Sequence, residues 1–536
     1  MKAIGAIELV ASHFILSWGC KRRFWALAAG ALSALAMPPF DFFPVLFLTF
    51  PALVWLMDAT ALDTATSLLA KAARGFVTGW WFGFGYFVAG LWWIGNAFLV
   101  EAEQFAWLLP LPVLALPALL AVFWGIGTAL ARLLWKDGAR RIAALAAGIG
   151  LAELMRGTLF SGLPWNSIGE AAMTVPLTMQ KASLLGLYGV GAIAVFVFAS
   201  PALLAPRLPG KNRRVFVLVL SLIAADLAFG GWRLATSPAT RVEGVSLRLV
   251  QPAIDQSEKW SPEMESRNFK LLMDLSVSSV SAEKPSLSGT TLLVWPETAF
   301  PFVLKERRDA LAALGAMLPD GTVLAAGAVR FEPPAPGDNR ELAFNSVYTI
   351  DDRGEISGAS DKLHLVPFGE YLPLKELAER LGLEQLTRMR GGFEAGSRRT
   401  LLNAGPAGSF LPLICYEIIF PGEASGGVTR PGFILNVTND GWFGMTPGPF
   451  QHWRQAVLRG VETGLPVVRS ANSGISSVSD ANGRTVEKIA LGVRAIADAE
   501  LPIALAETPY SRFGNSLFWL IIAGFLAFSA LPTRHH

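Results

Sequence analysis

The chain of 536 residues is long enough for two or three domains. Apolar residues make up 52% and charged residues 16%, with 17 Trp and 35 Phe, a balance that argues against a wholly soluble protein. A formal net charge of +3, with no long Lys/Arg block, leaves no electrostatic footprint for nucleic acid.

Residues 4–18 read as a short interfacial helix rather than a cleaved signal, since no basic n-region opens the chain and Cys20 lacks small-residue neighbours. Beyond them, eight apolar stretches are long enough to cross a bilayer core of about 30 Å: 24–40, 43–57, 76–100, 105–130, 142–155, 184–205, 215–231 and 515–531. Basic residues mark every second connection. Lys21, Arg22 and Arg23 precede the first stretch, Lys71 and Arg74 follow the second, Arg132, Lys136, Arg140 and Arg141 the fourth, and Arg207, Lys211, Arg213 and Arg214 the sixth. The connections around Asp41 and at 101–104 carry no Lys or Arg. The positive-inside rule then predicts cytoplasmic termini and an extracytoplasmic segment. The expected division is a seven-span membrane domain over 1–233, an outer α/β domain over 234–512, and a last transmembrane helix over 513–536.

The outer segment alternates between strand and helix patterns. Apolar runs at 245–250, 291–295, 323–328, 344–350, 410–416, 433–437 and 466–470 predict strands of a largely buried sheet. Stretches 262–279, 306–317 and 450–462 have helical spacing. Runs that end near Glu297, Cys415 and Asn436 predict a site at the carboxyl ends of the strands.

The two cysteines fall on opposite sides of the membrane in this topology, Cys20 at the cytoplasmic edge and Cys415 outside, so they cannot pair. A lone thiol in an oxidising compartment is a liability unless it is protected or used. Cys415 stands where the apolar run Leu411-Pro412-Leu413-Ile414 gives way to Tyr416 and Glu417, which suits a nucleophile. A thiol needs a base, and a tetrahedral intermediate needs positive charge or donors around its oxygen. His364 and His452 are the histidines outside, so a Cys–His pair stays open. No His-Glu-x-x-His occurs and no two histidines stand at ligand spacing, so no metal or cofactor is expected.

Carboxylates and a lysine make a fuller set. Glu297 closes the run Leu292-Leu293-Val294-Trp295-Pro296, where partial desolvation would raise its pKa and suit it to accept a proton. Lys362 opens the stretch 362–373, whose charged ends bracket an apolar, Pro-containing core. An ammonium there is expected to lower the thiol pKa and to stabilise an oxyanion. Trp442, Phe443, Met445 and Phe450, among glycines and prolines, suit either a mobile apolar gate or ordinary packing beneath a loop.

Trp295-Pro296-Glu297-Thr298, the 362–373 stretch, Cys415-Tyr416-Glu417 and the run Asn-Val-Thr-Asn-Asp-Gly-Trp-Phe at 436–443 together resemble the nitrilase superfamily. They resemble more narrowly its membrane branch, the bacterial apolipoprotein N-acyltransferases. Further matches are Gln-Ser-Glu-Lys-Trp at 256–260, Gly-Pro-Phe-Gln-His at 448–452, Arg469 to Gly474, and Glu153 with Arg156 in what looks like an outer loop. Leu465 departs from the Arg that the family often has there.

The resemblance implies a multi-span helical membrane bundle carrying a nitrilase-like αββα sandwich, with Glu297 as general base, Lys362 as transition-state stabiliser and Cys415 as nucleophile. It implies supporting roles for Glu370, which would orient the lysine region, and for Trp260, Asn345, Tyr416 and Glu417 around the pocket. The implied reaction takes an acyl chain from a phospholipid, with phosphatidylethanolamine as donor, onto Cys415 as a thioester. The acyl group then passes to the α-amine of the diacylglyceryl-cysteine of an apolipoprotein. The chemistry fits the compartment: without ATP outside the cytoplasm the acyl donor must arrive activated, and a phospholipid ester is. Two other readings stay open, a membrane-anchored nitrilase-type amidase acting on a small substrate, and a transporter with an accessory outer domain. A bundle of eight stretches exceeds what anchoring needs, and few ionisable residues within the stretches mark a transport path.

Overall fold

The structure, a computed structural model, describes residues 2–62, 67–100, 102–204, 212–237, 239–259, 261–279, 287–333, 341–373, 392–424 and 429–532. The chain forms two compact units, one of Met1–Gly95, Trp107–Ser237 and Arg512–His536, the other of Asn96–Ala106 and Pro238–Ser511.

The first unit is helical. A helix over Lys2–Ile15 covers most of the expected interfacial segment. Among the described residues, five helical stretches are long and apolar enough to cross a membrane: Phe43–Leu62, Leu68–Leu99, Ala102–Leu133, Ala182–Leu204 and Arg214–Thr236. The other three apolar runs also fall on helices. Gly19–Ser33 and Ala139–Thr158 carry their charges inside the helix, and Ser516–Ala530 has 15 residues. The first of these stops short of the expected 24–40 because Met37 precedes Pro38, which forces it into an extended conformation. Close helix crossings rest on missing side chains. A Cβ on Gly30 would lie 1.9 Å from the carbonyl oxygen of Phe82, and one on Gly148 2.1 Å from that of Gly127. The Glu153–Arg156 pair, expected in a loop, lies in the last two turns of Ala139–Thr158. Both residues are buried and paired at 3.0 Å, with Trp124 Nε1 donating to Glu153 at 2.7 Å and Arg156 donating to the Trp165 carbonyl at 2.8 Å. These partners compensate the cost of burying the two charges.

The second unit holds two six-stranded sheets. In chain order the strands are β1 (Arg241–Gln251), β2 (Leu292–Val294), β3 (Val323–Glu332), β4 (Leu342–Ile350), β5 (Ile356–Asp361), β6 (Leu402–Asn403), β7 (Ser409–Ile414), β8 (Phe433–Thr438), β9 (Val467–Ala471), β10 (Ser476–Ser479), β11 (Thr485–Ile489) and β12 (Ala495–Pro502). The sheet orders are β12-β1-β2-β3-β4-β5 and β11-β10-β9-β8-β7-β6. In each, three central strands run parallel, β1-β2-β3 and β7-β8-β9. Leu247, Leu249 and Val294 of one sheet share a core with Phe410, Leu435 and Val468 of the other, so the two sheets face each other. The alternate residues Val250 and Leu293 point outward onto Leu272 and Leu314 of the helices Glu265–Val277 and Arg308–Met317. The helix Pro447–Thr463 lies beside β9 and buries Ala456, Val457, Leu458 and Val461. The architecture is the nitrilase-like αββα sandwich.

Two strand expectations are corrected. Residues 415 and 416, expected to end a strand, lie beyond β7 in a 3-10 turn over Cys415–Ile419. The Glu417 carboxylate accepts from Ile414 N at 2.8 Å, and Cys415 takes a left-handed φ of +51°, which ends the ladder. Glu297 stands three residues past β2, and Asn436 lies inside β8 rather than at its end.

Candidate active site

The carboxyl ends of β2 and β7, together with β4 and the exit of β5, bring four functional groups to one place. Glu297 sits in a turn bonded down onto β3: Gly327 N donates to the Pro296 carbonyl at 3.1 Å, and Ala299 N to the Gly327 carbonyl at 2.8 Å. Only glycine fits there, because a Cβ on Gly327 would lie 2.5 Å from the Glu297 Cα. Asn345 on β4 donates through Nδ2 to Glu297 Oε1 at 2.8 Å and to Glu370 Oε1 at 3.0 Å. Lys362, one residue past β5, donates to Glu370 Oε1 at 2.9 Å and stands 2.8 Å from Oε2. Glu370 Oε2 also accepts from Val366 N at 2.8 Å, which ties the lysine loop to its own carboxylate. Cys415 completes the group from the second sheet. All of Glu297, Asn345, Lys362, Glu370 and Cys415 are buried.

Burial governs the electrostatics. It raises Glu297 above the ordinary glutamate value, Glu370 adds to the rise, and Lys362, Asn345 and Lys259 oppose it. Burial alone would lower Lys362, but Glu370, Cys415 and Glu297 outweigh it and hold the ammonium above the usual lysine range. The Cys415 thiol is pushed up to about 12, by burial first and then by Glu297, with Lys362 pulling the other way. The expected pull of the ammonium is present, but the thiol as a whole stands above its ordinary value. Lys362 does favour the thiolate, but desolvation and the carboxylate outweigh it. At rest Cys415 is therefore a neutral thiol beside a buried carboxylate and a buried cation, a set that could serve nucleophilic acyl chemistry in which the proton leaves as the bond forms.

The remaining residues separate by what they touch. The Glu417 carboxylate accepts from Leu363 N at 2.9 Å and His364 N at 3.2 Å as well as from Ile414 N, so it clasps the lysine loop to the nucleophile turn. Tyr416 packs edge-on against Phe420 and His364. Trp442 and Phe443 are half-buried in a 3-10 turn, Asp440–Phe443, with the Trp442 carbonyl accepting from Asn96 Nδ2 at 3.2 Å. Trp260 lies outside the described residues.

His364 stacks on Phe420 at 3.9 Å between ring centres. His452 places Nε2 3.1 Å from the Cys415 carbonyl oxygen, not its sulfur, and Nδ1 2.8 Å from Asp440. Asp440 pairs in turn with Arg469 at 2.7 Å. Burial would raise Asp440, yet Arg469 and His452 bring it down to about 2. This Arg469–Asp440–His452 chain and the buried Lys259 were visible only as letters within longer matched runs, and nothing in their spacing indicated what they would hold.

Comparison with known proteins agrees with this architecture. Residues 29–200 match the apolipoprotein N-acyltransferase N-terminal domain, and residues 246–508 match the carbon-nitrogen hydrolase family. Similar curated proteins, each named apolipoprotein N-acyltransferase, come from Bradyrhizobium diazoefficiens (49% identical, 96% of both chains), Rhizobium etli (48%, 98% of both) and Rhodopseudomonas palustris (47%, 95% of both). Among solved structures, an amidase from Nesterenkonia sp. AN1 is 18% identical with a TM-score of 0.36, covering 53% of this chain and 99% of that one. Identity near one half along nearly the full length, with both domain models matched in order, places the chain in a family. It belongs to the apolipoprotein N-acyltransferases, membrane-bound acyltransferases that carry a carbon-nitrogen hydrolase domain.

Proposed function

We propose that the chain moves an acyl group from a membrane phospholipid onto Cys415 and then onto the N-terminal amine of a diacylated apolipoprotein. The buried cluster of Cys415, Glu297, Asn345, Lys362 and Glu370 carries this reading. In the first half-step Glu297 takes the thiol proton as sulfur bonds to the ester carbonyl carbon, while the Lys362 ammonium offsets the charge developing on the carbonyl oxygen. The ester C–O bond breaks, Glu297 returns the proton to the departing oxygen, and a thioester and a lysophospholipid result. In the second half-step the acceptor amine attacks the thioester, Glu297 takes the amine proton, and the C–S bond breaks. The proton returns to sulfur, leaving an amide and the free thiol. Thioester to amide is downhill, so no further energy source is needed.

Phosphatidylethanolamine as the donor, with the sn-1 chain transferred, rests on the family resemblance, as do pocket roles for Trp260 and Tyr416. The names of the relatives support the lipoprotein acceptor. In this reading Glu370 holds Lys362 in place, Glu417 holds the nucleophile turn, and Trp442 and Phe443 form an apolar gate. The alternation of basic connections supports a catalytic domain over 234–512 in the periplasm, between a membrane domain over 1–233 and a final helix over 513–536, with both termini cytoplasmic. A periplasm-dependent reporter joined after Gly321 is expected to be active and one joined after Gly138 silent; the reverse would overturn the orientation.

The test of function is transfer from phospholipid to a diacylated lipopeptide. Cys415→Ala, Glu297→Gln and Lys362→Ala are each expected to lower the rate by about 10³-fold or more, and Cys20→Ser to leave it unchanged. Full activity in Cys415→Ala would overturn the proposal.

A further inference from the structure

Lys259 is a second buried lysine in the site, and the mechanism above does not use it. It lies on the segment that follows β1, is 5% exposed, and aims its ammonium at the turn that carries Glu297. Nζ donates to the Glu297 carbonyl at 2.9 Å and to Thr298 Oγ1 at 2.7 Å. The backbone of that turn also bonds to β3 through Gly327, Asn345 of β4 bonds the Glu297 carboxylate, and Thr298 takes a left-handed φ of +45°. A β-branched residue pays for such a conformation, so the turn needs contacts that hold it there.

We propose that Lys259 is a positioning residue for acyl transfer: its ammonium clamps the Glu297–Thr298 turn and adds to the positive charge that favours the Glu297 carboxylate. The inference rests on the reading of Glu297 as the base.

The charges around Glu297 give the clamp its electrostatic side. Its carboxylate is faced by Lys362 and Glu370, by the amide of Asn345, and by Lys259, while Lys259 itself is faced by Glu297 and Cys415. The Lys362 ammonium is largely committed to Glu370, which holds it through both carboxylate oxygens. Lys362 is still the larger of the two cations acting on Glu297, and Lys259, with no carboxylate bonded to it among the described residues, adds to it. Burial, opposed by Glu297 and Cys415, brings Lys259 down to about 8. Its charge is therefore present at neutral pH and lost in mildly alkaline solution, where Arg would keep it.

The experiment follows thioester formation on Cys415 in the full-length protein, in detergent micelles containing phosphatidylethanolamine, by quenched-flow mass spectrometry from about pH 5 to about pH 10. Removing a cation beside a carboxylate raises the carboxylate's pKa, so the base becomes ionised only at higher pH. In Lys259→Met the acid limb is expected to move up by about one pH unit, with the rate below it reduced by about tenfold. Lys259→Gln is expected to shift the limb in the same direction, which covers the case where Lys259→Met does not fold. Lys259→Arg is expected to keep the acid limb in place and to hold its rate further into alkaline solution than the unaltered protein. An acid limb unmoved in the neutral variants, with the rate unchanged or lowered evenly across pH, would overturn the proposal. Glu297→Gln run alongside separates the two claims. Thioester formation at the full rate in that variant removes the base reading, whereas an inactive Glu297→Gln with an unshifted Lys259→Met removes only the role given to Lys259.

Discussion

The Nε2 atom of His452 stands 3.1 Å from the carbonyl oxygen of Cys415, so a buried imidazole grips the backbone of the nucleophile rather than its sulfur. The other ring nitrogen faces Asp440, and Asp440 is fixed by Arg469, so the left-handed turn at Cys415 is backed by a chain of buried polar groups. His452→Ala leaves the Cys415 carbonyl and one Asp440 oxygen without this partner. The expected cost is about 1–3 kcal/mol of stability, read as a lower Tm, and a loss of about 10²-fold in transfer rate from a misplaced thiol. With Glu297 as the proposed base, the acid limb of the pH–rate profile is expected to stay where it is. A limb that moves with His452 would return the base role to histidine.

Glu370 acts on both Lys362 and Glu297. Among the groups that oppose desolvation at Lys362 it is the largest, and it is also one of the groups that raise Glu297. In Glu370→Gln, Glu297 becomes ionised at lower pH. The acid limb of the profile is expected to slide toward acid by about one pH unit. A pH–rate series of acyl transfer checks it, and a Glu370→Gln profile that narrows or falls without moving would contradict the electrostatic account.

The thiol offers an independent reading of the same charges. Glu297 is the second cause, after burial, that pushes Cys415 up to about 12. Glu297→Gln is therefore expected to bring the thiol down by about 1–2 pH units, read as ionisation of Cys415 at lower pH by thiolate absorbance, even as acyl transfer is lost. An unmoved thiol titration in that variant would mean that Glu297 does not face the thiol. A thiol kept neutral at rest is also protected against oxidation, since the thiolate is the form that oxidants attack.

Much of the fold was legible because its central strands are simple. β1, β2, β7 and β8 are apolar runs buried on both faces, and such runs stand out in any chain of this composition. The strands that escaped notice, β5, β6 and β10 to β12, are short, polar or half-exposed. β10 is Ser-Ser-Val-Ser and is buried through hydrogen bonds, with Ser476 bonded to Gln251 and Ala471, which no hydropathy pattern reveals. In the site, Glu297 and Cys415 were legible from the ends of apolar runs. The neutral state of the thiol was not, because the balance between an ammonium, a carboxylate and desolvation depends on geometry. Nor were the bonds of Glu417, which go to backbone N–H groups on two segments, 363–364 and 414, far apart in the chain.

Gly327 links fold to site. A Cβ there would lie 2.5 Å from both the Glu297 Cα and the Thr298 nitrogen, so Gly327→Ala must push the Glu297 turn off β3. The expected result is a loss of about 10²-fold in transfer with a stability cost of about 1–3 kcal/mol. Alkylation of Cys415 is expected to remain possible in the folded variant. Near-normal transfer in Gly327→Ala would mean that the position of Glu297 is not critical.

The central claim is that Cys415 carries the acyl group, and the mass of the peptide containing it tests this most directly. Purified protein given phosphatidylethanolamine and no acceptor is expected to show one fatty-acyl increment on Cys415, removable by hydroxylamine, with lysophospholipid in roughly equal amount. Adding a diacylated lipopeptide should then clear the increment and acylate its N-terminal amine. If Cys415 stays unmodified under conditions where the complete reaction runs, the acyl group passes directly from lipid to amine and the covalent mechanism is wrong.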